Sequence, residues 1–252
     1  WHRAPTPVVE SGGRLWACVE RFMGSNWASG FEACHMSVPV SADILDPRAW
    51  LSATPLPFPT GLFLWGFGAQ GWLEGNPVTG PGGALYNILR VHRMSGGTAA
   101  VLRMMPRGSR FIGFIDFPGG SKKFVVRYDG RTGRYWTVTS CLRPDHKNRS
   151  VPLRLAWSSP FNQAMDVRRW LAIASSPDLI SWSVHSVEVS TAAHESASYA
   201  DWTFDGDDML VAMRCAVERD GSRPQNPKAG NLIAFKRITK ARRVLDYKPY
   251  AV

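Results

Sequence analysis

Three carboxylates in this chain stand where acid–base chemistry would need them. Glu74 precedes Gly75-Asn76 ahead of an apolar run, Asp201 precedes Trp202, and Glu20 follows Leu15-Trp16-Ala17-Cys18-Val19. A carboxyl group in a dry, Trp-lined pocket can act as a general acid. Glycoside hydrolysis uses two such groups, about 5 Å apart for retention and further apart for inversion. Glu74 and Asp201 form the first candidate pair, with Glu20 in reserve. Arg90 and Arg214 offer planar forks for a sugar carboxylate or sulfate. Lys122 and Lys123 lie beside Gly119-Gly120, and strand alternation lets only one of them point the same way. Elimination would use other groups: a cation to neutralise a uronate carboxylate, and His2 or His92 with Tyr199 to remove the C5 proton. Asn76 completes the polar set, while Trp72 and Trp202 offer faces for sugar stacking. Each residue also has a structural reading, as an ion pair between sheets or as packing.

The elements that must position these residues are four similar hairpins. They run from Pro5 to Trp16, Asn76 to Tyr86, Lys123 to Trp136 and Trp202 to Val211. Each is a short apolar strand, a Gly-containing turn and a second apolar strand. A repeat every 50–75 residues or so predicts blades. A looser strand pair follows each of the first three: Phe31–Ser37 and Trp50–Leu56, Ala99–Met104 and Phe111–Phe117, Trp170–Ala174 and Trp182–Val189. Asn231–Ile238 follows the fourth. Ser176 to Trp182, with a looser echo from Ser37 to Trp50, reads as an Asp-stapled turn closed by Trp.

The expected fold is all-β: a single β-propeller domain over residues 1–252, of about four four-stranded antiparallel blades and without helices. A larger propeller with earlier blades is the alternative. In a propeller the tight turns lie on the far side, and the starts of inner strands gather at one mouth with the ends of their partners. That places His2, Arg3, Glu20, Arg21, Glu74, Asn76, Arg90, His92, Lys122, Lys123, Tyr199, Asp201 and Arg214 at the mouth. Asp205, Asp207 and Asp208 fall on a far-side turn and read as structural.

A chain of 252 residues can bury a full core, and its 11 Trp, 23 Gly and 18 Pro suit a turn-rich β protein. The net charge of +10 favours anionic partners, although Lys and Arg are dispersed. Nucleic-acid signatures, phosphate loops, a nucleophile elbow and zinc spacings are missing, so no metal or cofactor is expected. No apolar run reaches the ~20 residues of a membrane span. Because the chain opens on Trp1, the lack of a leader carries no weight. The four cysteines read as core residues, with a Cys18–Cys34 bridge as an option. Oligomeric state has no signal.

Gly13 to Glu20, Trp72 to Asn76, Asp116 to Phe124 and Tyr199 to Asp208 resemble the sialidase-like β-propeller proteins of bacteria and fungi. That resemblance implies an exo-acting glycosidase on a glycan with an acidic sugar, in a secreted or periplasmic setting, with Arg90 and Arg214 as carboxylate-binding arginines. Related propellers cleave uronic-acid polysaccharides, which keeps a lyase in view. A non-catalytic glycan- or protein-binding propeller is the reading from another class. Two departures stand out: Ser176–Trp182 is one residue short of a sialidase Asp-box and lacks its Gly, and four units are found where sialidases have six blades.

Overall fold

Every hairpin turns where its glycine stands. Gly12 and Gly206 both have φ +58°, a conformation that only glycine adopts without cost. The computed structural model describes residues 1–24, 27, 29–59, 69–93, 97–140, 168, 170–189, 196–218, 220–221 and 230–245. Blade 1 comprises β1 (Val8–Ser11), β2 (Arg14–Phe22), β3 (Phe31–Pro39) and β4 (Leu51–Ser52). Blade 2 comprises β5 (Ala69–Thr79), β6 (Leu85–Arg93), β7 (Thr98–Met105) and β8 (Gly108–Asp116). Blade 3 holds β9 (Phe124–Asp129), β10 (Arg134–Ser140), β11 (Trp170–Ser176) and β12 (Ser183–Val189). Blade 4 holds β13 (Ser196–Asp205), β14 (Asp208–Ala216) and β15 (Leu232–Ile238). Each blade is an antiparallel meander in chain order, and together they form a four-bladed β-propeller.

Alternation buries one face of each blade against the next. Ala33, Phe58, Trp72, Leu89 and Val91 fill the seam between blades 1 and 2. Val78, Phe117, Phe124, Val126 and Tyr135 fill that between blades 2 and 3. Val125, Trp136, Ile173, Trp202, Met209 and Val211 fill that between blades 3 and 4. Each large apolar side chain so buried contributes about 1.5–3 kcal/mol.

The Ser176–Trp182 turn is stapled as its residues imply. Burial opposes the charge on Asp178. Hydrogen bonds from the Ser181 and Ile180 amides and the Ser176 and Ser181 hydroxyls outweigh it and hold the carboxyl at about 2. The Trp182 indole donates to the Leu179 carbonyl (3.1 Å) and packs on Phe117. On the far side, Asp205 and Asp208 pair with Arg237, and Asp207 pairs with Arg131 and Arg243.

Three strands of blade 4 lie among the described residues. Two expectations are corrected. The strand expected over Trp50–Leu56 shrinks to Leu51–Ser52 and one bridge at Leu56, because Pro55 and Pro57 bring no N–H to a ladder. Cys18 and Cys34 are free: Cys34 pairs with Val19, which puts the two thiols on opposite faces of the sheet. Cys141, His146 and His194 lie outside the described residues, as does most of the Arg143–Arg169 segment. No helix among the described residues is long and apolar enough to cross a membrane.

Candidate functional site

Two β-bulges shape the mouth. Between the register pairs Leu73–Arg90 and Asn76–Ile88, Glu74 and Gly75 oppose a single residue of β6. Between Ser198–Arg214 and Asp201–Ala212, Tyr199 and Ala200 do the same on β14. The first bulged residue has a positive φ in both blades, +58° at Glu74 and +55° at Tyr199. Five described non-glycine residues share this conformation, but these two alone lie inside strands. A side chain there costs about 1–3 kcal/mol and must be held by its surroundings, as functional residues often are. The bulges turn Glu74 and Tyr199 out of the regular alternation. Both sit well inside β5 and β13 rather than at the strand starts, because these strands begin earlier, at Ala69 and Ser196.

Charged residues from the preceding blades hold each bulge. The Gly75 amide donates to Glu20 Oε1 (3.0 Å), so the Glu20 carboxylate lies against the residue next to Glu74. Glu20 Oε2 bonds His2 Nδ1 (2.7 Å), and the backbones of His2 and Glu20 exchange two hydrogen bonds. Lys123 Nζ donates to the Ala200 carbonyl (3.2 Å). Burial pushes Lys123 down to about 8, against the opposing pull of Asp201 and Glu74. The hydrogen bond that the His2 ring donates to the Glu20 carboxylate raises His2, with burial opposing it.

Arg90 is buried and donates from Nη1 to Glu74 Oε2 (2.8 Å) and from Nε to the Ser121 carbonyl (2.9 Å). Burial works against its charge; Glu74 and Tyr199 overcome that and raise it. Gly119 and Gly120 make the Ser121 contact possible: a side chain at either would collide with backbone at Ser140 or Thr98. Around Tyr199 stand two more guanidinium groups, Arg214 at 4.3 Å from the ring centroid and Arg168 at 5.3 Å. Gly230 lets the Arg214 stem pass, since a Cβ there would meet its Cγ and Cδ at 2.6 Å.

The structure thus brings together His2, Glu20, Glu74, Arg90, Tyr199, Arg214 and Lys123. The others lie differently. Asp201, expected to partner Glu74, is tied to Arg127 (2.7 Å) and to its own neighbour's amide at Trp202; the carboxylate beside Glu74 is Glu20. Asn76 is fully buried and stitches β5 to β9, donating to the Phe124 carbonyl and accepting from the Val126 amide. Trp72 is fully buried between Phe58 and Phe111, so its ring faces packing rather than a sugar. Trp202 packs on Phe204 in the seam. Lys122 is buried beside the Ser121 hydroxyl. His92 is half-buried on β6 opposite Gly71. Sequence reasoning missed Arg168. The sequence ahead of Trp170 shows no strand pattern, and nothing but its basic character marks Arg168.

No protein-family model matches the chain, and no curated protein matches its sequence. Solved structures do match. All of this chain aligns with 46% of a β-fructofuranosidase from Schwanniomyces occidentalis complexed with fructosyl-erythritol, at TM-score 0.56 and 11% identity. An exo-β-1,3-galactanase from Phanerochaete chrysosporium aligns over 82% of this chain and 42% of its own, at 0.54 and 7%. An α-L-arabinofuranosidase from Lactobacillus brevis aligns over 91% and 70%, at 0.51 and 10%. The chain therefore spans less than half of the first two. The sialidase resemblance is overturned by these matches: the residues that carried it are strand–turn–strand units and inter-blade tryptophans, which propellers of other families share. The fold resembles the propellers of these three proteins.

Proposed function

We propose that this chain is a carbohydrate-active propeller that holds a glycan with an acidic sugar at the mouth and cleaves a glycosidic linkage there. The observation that carries the reading is that one carboxylate, Glu20, is bonded to the backbone amide next to a second, Glu74. Glu20 accepts from Gly75, whose neighbour Glu74 is held by Arg90. Two carboxyl groups in one polar cluster are the minimum for acid–base cleavage of an acetal, and the adjacent arginines suit a substrate anion. The shared fold of several glycosidases agrees with this use of the mouth, and a glycan substrate suits a secreted or periplasmic setting. The test is incubation with fructan, arabinan, galactan and uronate-containing oligosaccharides, following new reducing ends. Glu74→Gln and Glu20→Gln are each expected to lower the rate about 100-fold or more at unchanged fold. Unchanged rates in both would remove the carboxylates from the chemistry.

One observation favours elimination as a second reading. Glu20 and Glu74 are 1% and 3% exposed, whereas Tyr199 beside its arginines is partly exposed and the His2 side chain is 28% exposed. Elimination leaves a ring double bond that absorbs ultraviolet light, and hydrolysis does not, so the product spectrum separates the two. A protein that binds such glycans but yields neither product is a binding propeller.

A further inference from the structure

Blades 2 and 4 use one backbone device with two different fillings. In both, an arginine stands opposite the residue before the bulge, Arg90 opposite Leu73 and Arg214 opposite Ser198. In blade 2 the bulged side chain is a carboxylate, and Arg90 is neutralised within its own blade at 2.8 Å. In blade 4 the same place holds a phenol ring, which orients guanidinium groups without neutralising them. Arg168 joins from just before β11 of blade 3, its carbonyl accepting from the Ala197 amide of β13 (2.6 Å). It is 6% exposed, and its Nε has no hydrogen-bond partner. The hydroxyl of Ser198, next to Tyr199, is likewise buried without one. Buried guanidinium donors are almost always paired, because an unpaired one loses its water for nothing. Burial, together with the charges of Arg90 and Arg214, depresses Arg168, against the pull of Tyr199. Among the described residues, Glu74 is the carboxylate bonded within this arginine group, and it is engaged by Arg90.

We infer that blade 4 holds an oxyanion seat, in which the anionic oxygens of a sugar carboxylate or sulfate take toward Arg168 and Arg214 the place that Glu74 takes toward Arg90. Arg168 Nε–H supplies the buried donor, Arg214 the second guanidinium, and the Tyr199 ring fixes both. The inference rests on the reading of the mouth as a glycan site, and it makes Arg168 the residue that selects an acidic sugar over a neutral one.

The test is calorimetric titration with methyl β-glucuronide, methyl β-glucoside and a sulfated methyl glucoside, with melting temperatures alongside. The glucuronide is expected to bind and the neutral glucoside to bind at least about tenfold more weakly, as loss of a charge-assisted hydrogen bond implies. Arg168→Gln should weaken the glucuronide by about the same factor. Tyr199→Glu, which builds a carboxylate into the seat, should abolish glucuronide binding and raise the melting temperature of the unliganded protein. It keeps the test sharp if Arg168→Gln fails to fold. A sulfated glucoside that binds in place of the glucuronide, and is lost in Arg168→Gln, supports the seat and assigns it to sulfate esters. Equal binding of glucuronide and neutral glucoside overturns the seat, as does an unchanged glucuronide affinity in both variants. Cleavage of a neutral glycan without anion binding sinks the seat alone; anion binding without any cleavage sinks the cleavage reading alone.

Discussion

Blades 2 and 4 share one backbone device at the mouth, a bulge with a positive φ at its first residue, and differ in the charge that fills it. Each bulge strains one residue, each faces an arginine, and each is gripped at its second residue by a charged group of the preceding blade. Blade 2 is gripped at the Gly75 amide by Glu20, blade 4 at the Ala200 carbonyl by Lys123. Blade 2 closes its electrostatics internally through Glu74–Arg90, whereas beside the blade 4 bulge Arg168 Nε, contributed by blade 3, has no acceptor. A buried, closed ion pair contributes position more than stability, since desolvation offsets most of its attraction. An open guanidinium group has a cost that a ligand can remove. The contrast teaches that one scaffold supplies both a rigid half of the mouth and a half that a ligand completes.

The largest effect should come from breaking the closed half. Arg90→Met leaves the Glu74 carboxylate buried without its cation, and such losses cost about 3–5 kcal/mol. Arg214→Met removes a cation from a group with surplus positive charge, so its cost should stay below about 1 kcal/mol. Urea unfolding of the two variants measures the difference. Equal destabilisation would mean that the two arginines play one structural role. The second residue of the bulge gives a smaller contrast. Gly75→Ala drives a methyl into the Asn87 carboxamide, an overpacking expected to cost about 1–3 kcal/mol and to loosen the Glu20 contact. Ala200→Gly at the matching site removes one buried methyl and adds chain freedom, for about 1 kcal/mol. Equal losses at the two sites would show that the bulges are packed alike.

The blades themselves were legible from the chain. Alternating apolar runs around glycine turns place β1–β2, β5–β6, β9–β10 and β13–β14, because burial period and turn chemistry are local properties. The bulges were not, because Glu74 and Tyr199 carry no local preference for a positive φ; the surrounding sheet imposes it. The mouth could therefore be assembled from strand polarity, but its pairings could not. Glu20 meets Gly75 across 55 residues and Arg127 reaches Asp201 across 74, contacts that depend on how blades sit side by side. Arg168 was invisible because the sequence around it shows no alternation from which a strand face could be read. Asn76 and Trp72 were misplaced for one reason: a polar or aromatic residue near a strand start reads as exposed, whereas β5 extends past both and buries them.

The last contrast concerns the cation that grips blade 4. Lys123 is 1% exposed, and burial holds it near 8 in the folded protein against 10.5 as its ordinary value. Asp201 and Glu74 face it and favour its charge, while Arg127 disfavours it. Below pH 8 the ammonium is charged in both folded and unfolded chains, and the fold carries the full cost of burying it. Between about pH 8 and 10.5 the folded chain has released the proton while the unfolded chain still binds it, so this group's contribution to stability rises with pH and levels off above that window. The slope from one such group is at most about 1.4 kcal/mol per pH unit. Unfolding free energies of wild type and Lys123→Met, compared from pH 7 to 11, should therefore diverge through this interval in favour of wild type. Parallel curves would mean that Lys123 keeps its ordinary affinity for protons, and that its bond to Ala200 does not require a desolvated ammonium. The Glu20 grip on blade 2 would then have no charged counterpart under strain in blade 4.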